Sequence, residues 1–298
     1  MKRSTVVAAN SNKSIFGQNG PYNRKLSTSA VPYESLNFND FFSKYSSIYG
    51  DYKYAPSFEF LSWFVGFYEG DGSFLADKEG KRLRFVVAQD TRDIQVIYTP
   101  QRLGFGSVMK WSGNISAFVV SDTIGIYLVC SIFNGNLVSR SKWEKFKNFL
   151  LAFNKYSNTG RLKFEEFNLK YELATDGWFS GFTDAMVGCF FVSIEPTKTG
   201  YTVRLRFSIN QHSNEILLVK SFVTYLNCGR VSEERKNPIA RFEITKLSDL
   251  AGKLLPVSSF FYFVITPYKN KKDKVLIRGS SSLNWPILFP RPPEGGLQ

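Results

Sequence analysis

Residues 63–74 read Trp63-Phe-Val-Gly66-Phe67-Tyr68-Glu69-Gly70-Asp71-Gly72-Ser73-Phe74, an apolar helix-like phrase with a small residue in its middle and acid and glycine at its end. A second phrase follows at Trp178-Phe-Ser-Gly181-Phe182-Thr183-Asp184-Ala185-Met186-Val187-Gly188-Cys189-Phe190. It is one residue longer and has no acid where Asp71 stands. Phe60, Trp63, Phe64 and Phe67 fall at helical spacing, which predicts a helix over 59–71. Glycine in mid-helix costs about 1 kcal/mol against alanine, so Gly66 and Gly181 need a reason. Close approach of one phrase helix to the other supplies it, with Ser180 and Ala185 widening the small-residue surface. Gly72 and Gly188 then act as helix stops.

What surrounds the phrases repeats as well. Leu83-Arg-Phe-Val-Val-Ala-Gln89 is matched by Leu205-Arg-Phe-Ser-Ile-Asn-Gln211. A stretch closing on glycine, Leu103-Gly104-Phe105-Gly106, is matched by Leu226-Asn227-Cys228-Gly229. A β-rich run ahead of Asp122 is matched by one ahead of Asp249. Four landmarks in one order mean a duplicated domain of about a hundred residues per copy. The alternation around Leu83 and Leu205 predicts strands, each paired with the strand after its phrase across turns at Lys78–Gly80 and Pro196–Gly200. The expected architecture is therefore α+β: two halves, each a small antiparallel sheet backed by helices. The boundaries expected are a leader over 1–57, a first half over 58–153, a linker over 154–173, a second half over 174–280 and a tail over 281–298.

The chain of 298 residues carries a net charge of +13, with 38 Lys and Arg against 25 Asp and Glu. A surplus of that size points toward a polyanion, most often nucleic acid. In the strands the basic residues alternate with apolar ones: Lys81, Arg82, Arg84 and Lys110 in the first half, Arg204, Arg206, Arg235, Lys236 and Arg241 in the second. Ribbons of this kind fit a DNA major groove, where Arg and Lys read guanine and Asn and Gln read adenine. A solvated sheet face looks the same.

Other chemistries are poorly served. Cys130, Cys189 and Cys228 are scattered, and the single His212 completes neither a zinc set nor a nucleophile triad. There is no P-loop and no dinucleotide fingerprint. No apolar run reaches the roughly 18 residues of a membrane span. Residues 1–33 hold no acid but do hold Lys2, Arg3, Lys13, Arg24 and Lys25 among many Ser and Asn, which reads either as a mitochondrial presequence or as an ordinary disordered leader. Residues 34–57, rich in Tyr and Phe, are expected to pack on the first half. Asp71 falls at a helix C-terminus, where a carboxylate meets the negative end of the macrodipole; a bound divalent cation would offset that.

The paired phrases with their two Gln-ended strands resemble the LAGLIDADG homing endonucleases and intron maturases, in the single-chain, two-motif form. The resemblance covers roughly 58–280. It implies two αββαββα halves, motif helices at their interface, and sheets forming a saddle for double-stranded DNA or intron RNA, within one monomer. It implies that Asp71 holds Mg²⁺ with the Gly70 carbonyl, and that Gln89 and Gln211 order water at the scissile phosphates. Basic residues late in each half would hold transition-state charge: Lys271 or Lys272, and Lys142 or Arg140. Glu69 and Asp184 would not be metal ligands. Met186 and Val187 depart from the family pattern and make the second site degenerate, since neither offers a donor that Mg²⁺ prefers. The expectation is a weakened or nicking endonuclease of an organelle intron; the alternative is a maturase that binds without cutting.

Overall fold

The computed structural model describes residues 36–50, 55–166, 176–186, 189–234, 236–257, 266–269 and 275–278. Helix α1 (Asn39–Tyr49) precedes the first motif helix, α2 (Phe58–Asp71). Strands β1 (Gly72–Ala76) and β2 (Leu83–Asp90), helix α3 (Ile94–Tyr98), strands β3 (Ser107–Ser112) and β4 (Ile115–Val120), and helices α4 (Thr123–Phe133) and α5 (Arg140–Tyr156) complete the first half. The second half opens with the other motif helix, α6 (Asp176–Ala185). There follow β5 (Phe190–Thr197), β6 (Gly200–His212), α7 (Ile216–Leu226), β7 (Arg230–Glu233) and β8 (Ile239–Ile244). A helical run over 247–257 and the hairpin of β9 (Thr266–Lys269) and β10 (Val275–Arg278) come last.

The two four-stranded antiparallel sheets have one topology, β1-β2-β4-β3 and β5-β6-β8-β7. The repeat extends to single residues. Gly106 and Gly229 both sit at positive φ, 78° and 84°, and a side chain at either would strike the ring of Phe118 or Phe242. Only glycine meets both demands at once. Lone His212 matches Asp90: each caps the turn after its central strand, accepting the N–H of Asn214 at 3.2 Å and of Arg92 at 3.0 Å. The second hairpin is tighter than its sequence suggested. β5 runs on through Thr197, which pairs with Gly200, so the turn is Lys198-Thr199 alone.

Helix α2 starts on Ser57, whose hydroxyl accepts the Phe60 N–H, and it is buried from Phe60 to Glu69. It is apolar all round because helices and sheet cover one side and α6 covers the other. The helices cross where both are glycine. A Cβ on Gly66 would lie 1.9 Å from the carbonyl oxygen of Trp178, and one on Gly181 1.9 Å from that of Trp63. Through this crossing both halves share one apolar core. α1 is seated on the first half by Phe41 and Tyr45, both buried, and by paired bonds between Asn37 and Asn136. α5 continues past Phe153 into the stretch read as linker.

Candidate functional site

At the foot of the crossed helices the chain turns from α2 into β1, and Asp71 is the last helical residue. Gln89, on β2, donates its amide to Asp71 Oδ2 at 3.0 Å and to the Ala185 carbonyl at 2.9 Å, tying the acid to the end of the other motif helix. Asp71 is reachable by solvent, yet the protein atoms crowded about it push its pKa up to about 6, against the opposing pull of the Lys142 charge. Lys142 comes from the first turn of α5. Its ammonium donates to the Gly72 carbonyl at 2.7 Å and lies 5.2 Å above the Tyr68 ring. Burial lowers the Lys142 pKa, Lys145 adds to that, and Glu69, Asp71 and Glu215 oppose it. Arg140 instead pairs with Glu144 at 3.2 Å in solvent.

The two other motif acids are structural. Trp178 Nε1 donates to Glu69 Oε2 at 2.6 Å, and Trp63 Nε1 donates to Asp184 Oδ2 at 2.8 Å. Each indole reaches the acid of the opposite helix, as a twofold relation requires. Glu69 also accepts the N–H groups of Val138 and Ser139. Its burial raises its pKa to about 7 despite those bonds and the Lys142 charge.

Sequence reasoning missed Glu215. From the second half, its Oε1 accepts the Ser139 hydroxyl at 2.9 Å and the Ser141 N–H at 2.8 Å, at the N-terminus of the helix that carries Lys142. In sequence it looks like a solvated acid ahead of a helix; only the packing of the halves shows that it is buried.

The second site is built on the same plan without the acid. Gln211 directs its amide at the Met186 sulfur, 3.5 Å away, as Gln89 does at Asp71. Asp71 suits a hard divalent cation. Gln89 occupies Oδ2, and among the described residues no group of three His, Cys, Asp or Glu gathers to form a closed cage. A cation here would take its other oxygens from backbone carbonyls such as that of Gly70, from water and from phosphate, which is how Mg²⁺ is commonly held. The Met186 thioether does not suit such an ion. Lys271, Lys272, Arg235, Val187 and Gly188 lie outside the described residues.

The basic residues of the sheets divide. Arg84 lies on the face of the first sheet turned away from the helices, whereas Lys110 pairs with Ser116 and belongs to the helix-facing row of an edge strand. Lys81 and Arg82 stand at the β1–β2 turn, and Lys236 at the β7–β8 turn. Arg204, Arg206 and Arg241 share the open face of the second sheet, paired with Glu195, Glu243 and Glu234. The three cysteines are free and buried, and burial raises each thiol pKa, that of Cys189 to about 12. Among the described residues no helix is long and apolar enough to cross a membrane.

Known proteins resemble this chain in sequence and fold. The family model described as LAGLIDADG endonuclease matches residues 64–153 and 179–274. A "probable intron-encoded endonuclease 4" of Neurospora crassa is 35% identical over 224 residues, covering 72% of this chain and 38% of that protein. A "probable intron-encoded endonuclease Cox1-I1b" of Schizosaccharomyces pombe is 24% identical over 255 residues, covering 75% of this chain and 65% of that one. The chain thus spans less than two thirds of either relative. The solved structure of the I-LtrWI homing endonuclease bound to target DNA superposes with a TM-score of 0.52 at 23% identity, covering 68% of this chain and 84% of that one, and has the same fold.

Proposed function

The chain belongs to the LAGLIDADG endonuclease family, and we propose that it is a sequence-specific, metal-dependent DNA endonuclease of an organelle intron that breaks one strand of its target. The observation that carries this reading is the pair Asp71 and Met186, one at each twofold-related site. When bound at Asp71 and the Gly70 carbonyl, Mg²⁺ would supply the charge that makes a phosphodiester susceptible to water. Gln89 holds Asp71 in place and keeps its amide oxygen for water. Lys142 sets a positive charge beside the same spot, where negative charge builds on the phosphate. At Met186 the thioether stands where the first site has its acid, so the second strand stays whole. The two halves supply their own twofold relation, which supports a monomer, and the cox1-intron names among the relatives support a mitochondrial setting.

Supercoiled plasmid carrying the intronless target, incubated with Mg²⁺, tests this. Open circles are expected from the native protein and none from Asp71→Asn. Linear product would overturn the one-strand reading. Tight binding with no cleavage, together with stimulated splicing of intron RNA, would favour a maturase, which would draw on the same basic surface.

A further inference from the structure

The two sheets present opposite chemistries on the faces turned from the helices. In the first sheet Phe85, Val87, Phe118 and Val120 point into the main core. Alternation along paired strands therefore sends Leu75, Val86, Met109, Ile115, Ala117 and Val119 to the other face. Val86, Ala117 and Val119 form an apolar cluster of their own. Around it Leu75, Met109 and Ile115 stay 40%, 43% and 39% exposed. In the second sheet Phe207, Ile209, Phe242 and Ile244 take the core, and the open face carries Arg204, Arg206, Arg230, Arg241, Asn210 and Glu243. Glu243 ties Arg206 and Arg230 together, and Arg241 donates to Asn210 at 2.9 Å.

An exposed apolar sheet face in a basic protein marks a contact surface. Its occupant is itself an anion, because Lys81, Arg82 and Arg84 stand exposed at one end of the patch and the matching sheet of the other half carries four arginines. In the DNA major groove the one apolar feature is the thymine methyl group, while arginine pairs best with guanine and glutamate accepts from cytosine. Building on the DNA reading, we propose that the target is chemically lopsided. The half-site under the first sheet is read through thymine methyls by Leu75, Met109 and Ile115; the half-site under the second is read at G·C pairs by Arg204, Arg206, Arg230 and Arg241.

The test is selection of bound duplexes from a random library without Mg²⁺, followed by replacement of thymine with uracil in each half-site separately. One half-site should come out thymine-rich and the other guanine-bearing. Uracil in the first should weaken binding about fourfold for each buried methyl removed, and uracil in the second should change nothing. Leu75→Ser, Met109→Ser and Ile115→Ser together, all at exposed positions, should abolish the uracil effect; Arg206→Ala should preserve it. Failure to retain any duplex would remove the DNA reading itself. Retained duplexes with no thymine preference, indifference to uracil, or a uracil effect that survives the triple variant would overturn the lopsided target alone. So would a dimer in sedimentation that Leu75→Ser dissociates, because the face would then belong to a second copy.

Discussion

Asp71 and Met186 hold the same station in the two halves: Gln89 reaches the first at 3.0 Å and Gln211 the second at 3.5 Å. The extra residue of the second phrase therefore falls after Met186, and the helix end is not rotated past its place. One substitution, Met186→Asp, should then rebuild the second acid without any deletion. Linear plasmid in Mg²⁺ is the expected product, against open circles for the native chain, and Met186→Leu should behave as native. If Met186→Asp still only nicks, the second half lacks more than its acid.

The glycine crossing gives a stability prediction. A methyl on Gly66 or on Gly181 meets a backbone carbonyl, not a movable side chain, so the helices must part. Each change to alanine should cost about 1–3 kcal/mol or more, read as a lower urea midpoint, and the two costs should be similar because the contacts are reciprocal. Gly252→Ala, with nothing within 4 Å, is the control and should be neutral or mildly stabilising. Equal midpoints for all three variants would remove close packing as the reason for those glycines.

Much of this was legible because duplication makes the chain its own comparison. Gly66 and Gly181, Gln89 and Gln211, Gly106 and Gly229 signal twice, and each pair holds matching places in the structure. What stayed hidden has no local signature. Glu215 lies more than 70 residues from Ser139 and Ser141, and only tertiary packing decides that it is buried. The chemistry of the sheet faces was also obscured. Alternation shows that a strand has two faces, but the pairing register shows that Lys110 leaves the open face while Met109 and Ile115 occupy it.

The pKa of Asp71 sets a pH dependence. Crowding raises it to about 6, so the carboxylate that a cation needs is lost as pH falls through that value, well above the ordinary aspartate range. Nicking at low Mg²⁺ should rise with pH to a midpoint near 6. Protons and metal compete for one carboxylate, so raising Mg²⁺ should move the midpoint down. Lys142→Met removes the charge that pulls this pKa down and should move it up. A midpoint that ignores Mg²⁺ concentration would assign the titration to another group.

Glu215 ties the second half to the turn of the first that carries Lys142. Its Oε1 holds the Ser139 hydroxyl and the Ser141 N–H, and Lys142 stands on the same helical turn. Glu215→Ala takes this acceptor from the buried Ser139 hydroxyl and the half-buried Ser141 N–H, which should cost about 1–3 kcal/mol in stability. It should also loosen the turn that aims Lys142. A preorganised positive charge displaced from a phosphate commonly costs about a hundredfold in rate, so single-turnover nicking should slow by at least about tenfold while DNA affinity holds. Glu215→Gln keeps an acceptor oxygen and should recover most of the rate. The deciding measurement is the double variant: Glu215→Ala with Lys142→Met should nick no more slowly than Lys142→Met alone, since both act through one ammonium. Additive losses would show that Glu215 supports the fold only. A localised rise in amide exchange over 139–143 in Glu215→Ala is expected alongside, and it can be read whether or not the protein cuts.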